Sequence, residues 1–578
     1  MNMRFLVLSG ICLSLLACGG GDEVIKNKKN EVVVHELSDP SKLNPLTTSD
    51  ANAGVIMGNI FESLVSSDIT TLERFPYMIK SFPEIVKKDS SLDLIYEFRD
   101  EVAFPDGTPI TGYDYEFSLK VIKNPLTDCG PSRAGYEMID AVTVDQKNPK
   151  KFTVHFNKVY YLAEQMASSM TILNAKVYDP KSLLKEFSVS DLHFKSKELE
   201  NNAKLKEQAE MFNTKFNNSI PENAGSGPYQ FESLKAFERV ILKKNKNWWG
   251  NKLKDANARI FHAYPDKLVY ETVSDFQGAV VSLKAGKLDV LYGIPHLDFA
   301  EKMQKDEKIK SNFYLLTPPQ FGFEHIGINI RNEKLSDVRV RKALSQLVDA
   351  DKIINTVCYG MAQRTIGFMH PLKKEYYNEK LALYQYNVAE AKKLLTEAGW
   401  RDSDGDGVLD KVINGEKENL EINLFYNKGN DRRKKIAIYF QESAKAAGVK
   451  INVVVKDFPV LLDLLKSRNF DMYVLTTISS PHEFEYRGSW HSSGIKEGGN
   501  YTGFYNKRVD ELFDKIQLCF DKNERAAYYK EIQAILHEEC PVIPLMVHTE
   551  RVAISKRFTN VEASGMFPGF DATMFKIQ

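Results

Sequence analysis

Six cysteines in 578 residues are too few to staple a chain of this length, and their spacing makes no disulfide framework. Cys12 and Cys18 lie at the N-terminal end. Cys519 and Cys540 are each expected to close one helix of an antiparallel pair, which sets them a helix length apart and out of bridging range. Net charge is absent as well, with 77 basic and 77 acidic side chains. That balance leaves no electrostatic footprint for nucleic acid or for a strongly charged membrane surface. Catalytic constellations are missing too. The 11 histidines are scattered singly, and His537-Glu538-Glu539-Cys540 lacks the second histidine of a zinc-protease helix. There is no Gly-x-Ser-x-Gly elbow, and Gly225-Ser226-Gly227 is not followed by the Gly-Lys-Ser/Thr of a phosphate loop. An enzyme, and an ATPase in particular, is therefore not expected. No apolar run reaches the roughly 20 residues that a membrane-spanning helix needs.

The chain does open on a short apolar run, Phe5 to Leu16, behind the single charge of Arg4. Its length and its serine and glycine interruptions fit an export signal and not an anchor helix. Leu15-Leu16-Ala17-Cys18 resembles the bacterial lipobox, in which the cysteine is acylated and becomes the first mature residue. On this reading residues 1–17 are a signal peptide and Cys18 is the membrane anchor; the plainer alternative is a cysteine that merely follows an ordinary signal. Residues 18–30, with three glycines and a polar run, make a flexible tether reaching about 20 Å by random-coil scaling.

Local patterns along the rest of the chain are specific in combination. They begin with Leu43-Asn44-Pro45 and Ile60-Phe61-Glu62-Ser63-Leu64-Val65. Tyr96-Glu97-Phe98-Arg99 then leads into Phe104-Pro105-Asp106-Gly107-Thr108-Pro109 and Asp114-Tyr115-Glu116-Phe117-Ser118, which reads as a strand, a tight turn and a helix with Asp114 near its start. Gly225-Ser226-Gly227-Pro228-Tyr229 and Trp248-Trp249-Gly250 follow, then Asp337-Val338-Arg339 and Pro541-Val542-Ile543-Pro544-Leu545. Between them, Asn387 can cap a helix with Glu390 three residues on, an apolar stripe of Ala391, Leu394, Leu395 and Ala398, and Gly399 as its stop. Lys195 to Phe216 reads as one charged surface helix with a partial inner stripe of Leu199, Leu205, Ala209 and Phe212.

In order and number these patterns resemble the family 5 extracellular solute-binding proteins, the oligopeptide-, dipeptide- and nickel-binding lipoproteins of ABC importers. The resemblance implies an α/β, two-lobed periplasmic-binding-protein fold of type II, with an extra subdomain in the first lobe and a two-strand hinge. The first lobe is expected to comprise residues 31–65, 178–322 and 548–578, the subdomain 66–177 and the second lobe 323–547, with crossings near Phe321 to Asn329 and Pro544 to Ile554. It further implies a monomer in the periplasm or at the cell surface, tethered by lipid, that needs separate permease and ATPase subunits and no cofactor. A ligand-sensing lipoprotein for a signalling receptor, or a receptor for a non-peptide solute such as a sugar or metal chelate, would look the same in sequence.

Two clusters bear on ligands. Asp402, Asp404, Asp406 and Asp410 stand at the first, third, fifth and ninth positions of a calcium loop, with a glycine at the sixth. The twelfth position is Ile413 and not the bidentate glutamate, so at most a weak Ca2+ site is expected, and an Asp/Gly turn is the favoured reading. The second cluster follows an expected strand from Phe470 to Thr476 and holds Tyr473, Phe484, Tyr486, Trp490, Tyr501, Phe504 and Tyr505. The resemblance sets this segment on the second lobe's face of the cleft, so about half of the rings are assigned to the ligand side, with Tyr486 and Trp490 foremost and Tyr501 and Phe321 beside them. Peptide-binding relatives place an aspartate just after this strand to hold the ligand's ammonium. Here the segment reads Thr476-Thr477-Ile478-Ser479-Ser480-Pro481-His482-Glu483, without one. Either Glu483 or Glu485 replaces it, or the ligand lacks an amine and is held by the hydroxyls of Thr476, Thr477, Ser479 and Ser480.

Overall fold

A computed structural model of the chain describes residues 29–48, 50–217, 219–253 and 260–578; the leader, Cys18 and most of the tether lie outside them. Two large sheets organise the molecule. In the first, seven strands run in the order Phe313–Leu316, Val552–Ser555, Val290–Leu291, Glu31–Glu36, Lys267–Thr272, Arg239–Lys244 and Tyr229–Lys235. In the second, six strands run Ala362–Arg364, Val542–His548, Gly322–Ile328, Met472–Ile478, Glu421–Asn427 and Lys450–Lys456. A separate four-stranded sheet orders Glu84–Lys87, Leu92–Glu97, Lys151–Phe156 and Ile139–Val144. Each sheet carries its own helices, giving a two-lobed α/β body with a third, smaller layer.

The chain passes from the first sheet to the second at 317–321 and returns at 549–551, where Pro319 and Thr549 form a single antiparallel bridge. Both crossings are shorter than the apolar runs suggested. Gly322–Ile328 is buried along its whole length because it pairs with a neighbour on either edge. Such a strand reads as a continuous hydrophobic run, and only the residues before it are left to act as a linker.

Local chemistry accounts for the elements that position the site. Helix Gly112–Lys123 starts on a capping box, Thr111 with Asp114, and lies against the four-stranded sheet through Tyr115, whose ring sits 4.9 Å from Phe152. Asn387 accepts from the Glu390 amide at the start of Val388–Glu397, and Gly399 ends that helix at φ +88°. The expected helix over 195–216 is instead broken, because Asn202 caps a new start by accepting from Lys204 and Leu205. Leu205, Ala209 and Phe212 still form the buried stripe. Helices Lys507–Leu518 and Lys522–Glu539 end at Cys519 and Cys540, and Cys129, Cys358, Cys519 and Cys540 are all free.

Several of the sequence patterns meet at one buried carboxylate. Glu62 accepts from Ser226 Oγ at 2.6 Å, Trp249 Nε1 at 2.7 Å, Trp248 Nε1 at 2.9 Å and Tyr77 Oη at 3.0 Å. Burial raises its carboxyl to about 7 against the pull of these four donors. Gly225 and Gly227 flank the serine for a steric reason: a Cβ would stand 2.2 Å from the Ile60 carbonyl oxygen at the first and 2.6 Å from that of Asn59 at the second. The glycine-rich turn thus serves backbone approach, not phosphate binding.

Candidate functional site

Between the four-stranded layer and the second lobe lies a cavity of about 1020 Å³. One wall comes from the two-stranded hairpin that holds Arg74, from Phe82 and Ile85 at the edge of the four-stranded sheet, and from Tyr161 with Glu164 and Gln165 of helix Ala163–Ser168. The other comes from 369–376, from the loop after strand Met472–Ile478, and from helix Lys522–Glu539. Its residues include Lys373, Tyr376, Glu483, Tyr486, Arg525 and Tyr529. Phe321, the last residue of the first crossing, reaches it as well.

Contacts across the gap hold the two walls together. Tyr161 donates its amide to the Gln517 carbonyl at 3.0 Å, and the hydroxyls of Tyr161 and Tyr529 are 3.1 Å apart. Ser67 Oγ lies 2.7 Å from His482 Nε2, Tyr160 donates to Glu485 at 3.1 Å, and Gln165 donates to the Glu483 carbonyl at 3.0 Å. This is a closed arrangement, in which the cavity is bounded by both lobes at once.

Most charges on the walls are already partnered. Arg74 makes a bidentate pair with Glu164 at 2.6 and 2.9 Å. Glu483 Oε1 accepts from Tyr376 at 2.7 Å and from Arg525, while its Oε2 is buried without a hydrogen-bond partner. Lys373 donates to the His482 carbonyl and makes no ion pair among the described residues. Burial lowers its ammonium to about 8. An anion placed beside Lys373 would relieve that desolvation, and a hydrogen-bond donor would satisfy Glu483 Oε2.

The expected site residues divide. Phe321, Glu483 and Tyr486 line the cavity. Trp490 instead packs inward, its ring 5.8 Å from Phe368, because the single turn Arg487–Trp490 directs it into the core. Tyr501 sits edge-on to Tyr473 at 6.2 Å, in a small cluster with Phe470. Tyr505 is exposed, and Tyr473 and Phe504 are buried. Thr476 accepts from Arg433 Nη2 at 3.1 Å, Thr477 is paired to Phe323 in the sheet, Ser480 Oγ accepts from the His482 amide, and Ser479 Oγ is buried without a partner. None of these four hydroxyls lines the cavity. Glu485, the alternative to Glu483, is taken up by Tyr160 and the Arg487 amide.

The acidic loop is organised by protein groups. Asp402 accepts from the Gly405 and Gly407 amides, Asp406 from that of Val408, and Asp410 from Ser403. Lys417 places its ammonium 2.6 Å from Asp404 and 3.4 Å from Asp410. Carboxylate oxygens of Asp402, Asp404 and Asp410 lie within 4.8 Å of one another, with Lys417 beside two of them, and Ile413 lies in strand Asp410–Ile413.

A two-lobed α/β body, two short crossings and a cavity closed by both lobes define a solute-binding protein. The sequence profile of the bacterial extracellular solute-binding proteins, family 5, matches residues 78–497, and the chain belongs to that family, whose members bind solutes and are not enzymes. It is 25% identical over 555 residues to the oligopeptide-binding protein AppA of Bacillus subtilis, covering 93% of this chain and 92% of that one. The solved structure of that protein with a nonapeptide superposes with a TM-score of 0.68 at 23% identity, over 95% of this chain and 99% of the other. NikA from Brucella suis, in complex with Fe(III)-EDTA, gives 0.74 at 18% identity over 95% and 100%. No helix among the described residues is long and apolar enough to cross a membrane.

Proposed function

We propose that this chain is the extracytoplasmic receptor of an ABC-type importer, capturing a peptide or peptide-sized solute and passing it to a permease driven by a separate ATPase. The cavity carries the reading. At about 1020 Å³ it stands at the upper end of small-molecule sites, which run to about 1,000 Å³, and so has room for several residues of peptide. Phe82, Phe484, Tyr486 and Tyr529 supply apolar wall for side chains. Glu483 takes the ligand's ammonium in place of the aspartate of peptide-binding relatives, and Lys373 takes an anionic group. The oligopeptide-binding relative supports peptides over other solutes. Cys18 holds the protein at the membrane by its lipid, and the chain acts as a monomer. A first lobe of 31–65, 178–322 and 548–578, a subdomain of 66–177 and a second lobe of 323–547 are proposed; the strands of the two large sheets support this division except at its edges, where Gly322 and His548 lie in strands of the second sheet.

Calorimetry with tripeptides and their N-acetylated forms tests the assignment. The free amine should bind and the acetylated form should bind about tenfold or more weakly, since it forfeits a charge-assisted hydrogen bond to Glu483 Oε2 worth about 1.5–3 kcal/mol. Glu483→Gln should remove that discrimination. Equal binding of both forms would favour a solute without an amine, and discrimination that survives Glu483→Gln would place the ammonium elsewhere. Cys18→Ala should move the protein from washed membranes to the soluble fraction.

A further inference from the structure

Behind the cavity, at the return crossing, three metal-ligating side chains from both lobes come together. A ring nitrogen of His296, Cys358 Sγ and a ring nitrogen of His548 lie within 4.8 Å of one another, and all three residues are buried. His296 opens the short helix His296–Asp298 after a strand of the first sheet; Cys358 caps helix Ala350–Val357 in the second lobe. His548 ends the strand that leads into the crossing. A fourth soft donor adjoins them, since Met546 Sδ lies 3.6 Å from Cys358 Sγ and is also buried.

The second layer is that of a metal ligand. His548 Nε2 lies 2.6 Å from Glu324 Oε2, while Nδ1 is buried with no hydrogen-bond partner. A histidine that gives one ring N–H to a carboxylate and keeps the other nitrogen bare is oriented as metal-bound histidines are.

Charge and softness select the ion. Arg432 and Arg433 pair with Glu324, and Arg551, whose guanidinium also donates to the Ile294 and Thr549 carbonyls, reaches to 3.3 Å from His296 Nε2. Three guanidiniums against the Glu324 carboxylate leave no spare negative charge beyond a Cys358 thiolate. A monovalent ion on that thiolate adds no net charge, whereas a divalent ion would bring an uncompensated one. Thiolate, thioether and two imidazoles are also the donors that soft Cu(I) prefers.

We infer that His296, Cys358, His548 and Met546 form a binding site for a soft monovalent metal ion, Cu(I), that ties the two lobes together beside the hinge. Binding exchanges the Cys358 thiol proton for the metal: the S–H bond breaks, an S–Cu bond forms and one proton leaves to solvent. Metal–ligand bonds of about 2.0–2.3 Å require the donors to draw in by about an ångström. Side-chain rotation of the histidines and the flexible thioether within the closed form can supply a shift of that size, and lobe opening supplies the entry path to a buried site.

The test uses the full-length protein titrated anaerobically with Cu(I) against a chromophoric Cu(I) chelator, with Zn(II) as the divalent comparison. We expect about one Cu(I) per chain, bound more tightly than Zn(II). Met546→Leu, a volume-conserving change, should weaken binding at least several-fold, and Cys358→Ser should abolish it with Cys129, Cys519 and Cys540 still present. Thermal melts without metal distinguish a lost site from a lost fold, and the leucine variant keeps the test alive should the serine variant misfold. Wild type that binds no more Cu(I) than Cys358→Ser overturns the site. Tighter Zn(II) binding, or affinity unchanged in Met546→Leu, overturns the assignment to a soft monovalent ion.

Discussion

Glu62 gathers residues that lie far apart in the sequence, and every group facing it is a donor. Glu62→Gln turns one acceptor oxygen into an N–H2 aimed at donors, so it should destabilise the protein by about 1–3 kcal/mol, read as a lower denaturant midpoint with unchanged m. Lys373 makes the second prediction at this scale. Its folded pKa, about 8, lies below the unfolded value of roughly 10.4. The unfolded chain then binds more protons between these values, and this group's contribution to stability rises with pH across that window. A bound anion favours the charged ammonium, so affinity for an anionic ligand should fall as pH climbs past about 8, with proton uptake on binding near that pH. Calorimetry in two buffers of different ionisation enthalpy detects the uptake, and Lys373→Met should abolish the buffer dependence. One wall of the cavity was legible in the sequence through Glu483 and Tyr486, because the family resemblance set on the cleft a polar, aromatic loop of the kind where ligand contacts gather, and through Phe321 at the expected crossing. The opposite wall, with Arg74, Phe82, Tyr161 and Glu164, was not, since only the docking of the small sheet brings those side chains to the gap. Trp490 failed for a related reason: sequence gave its loop but not the direction of a single helical turn.

Elements whose ends are chemically marked were readable. Asn387 and Gly399 bracket their helix where capping rules place them, and Asp114 stands in the first turn of Gly112–Lys123. The broken helix at 195–216 was misread because charge and apolar spacing continue across Asn202, whose cap shows only in the backbone geometry. The acidic loop is the Asp/Gly turn favoured from sequence, but the part played by Lys417 was not legible there, since it comes from the next strand, Glu416–Asn419, and closes onto the aspartates only when the hairpin forms. Gly225 gives the sharpest prediction at this level. Gly225→Ala sets a methyl 2.2 Å from the Ile60 oxygen, so the turn must shift, at a cost of about 1–3 kcal/mol or more. A variant as stable as wild type in chemical denaturation would show that the close approach can relax freely.

At the scale of the molecule, the bonds across the cavity belong to the closed form, and a ligand that prefers this form shifts the population toward it. Small-angle scattering with a verified ligand should therefore show a smaller radius of gyration than without, and distance labels on the two lobes should move closer. Unchanged distances would show that capture needs no lobe motion. The hinge could be anticipated only as a pair of apolar runs; that the crossings are the few residues between strands follows from sheet pairing, which is long-range.

The return crossing has one more consequence, for the order in which the protein can be made. Val542–His548 is an inner strand of the second sheet, and Val552–Ser555 lies between Val290–Leu291 and Phe313–Leu316 in the first. Both lobes thus wait for a stretch close to the C-terminus before their sheets can close. A ribosome that has synthesised nine-tenths of the chain holds two incomplete cores, and pairings of such sequence separation form slowly.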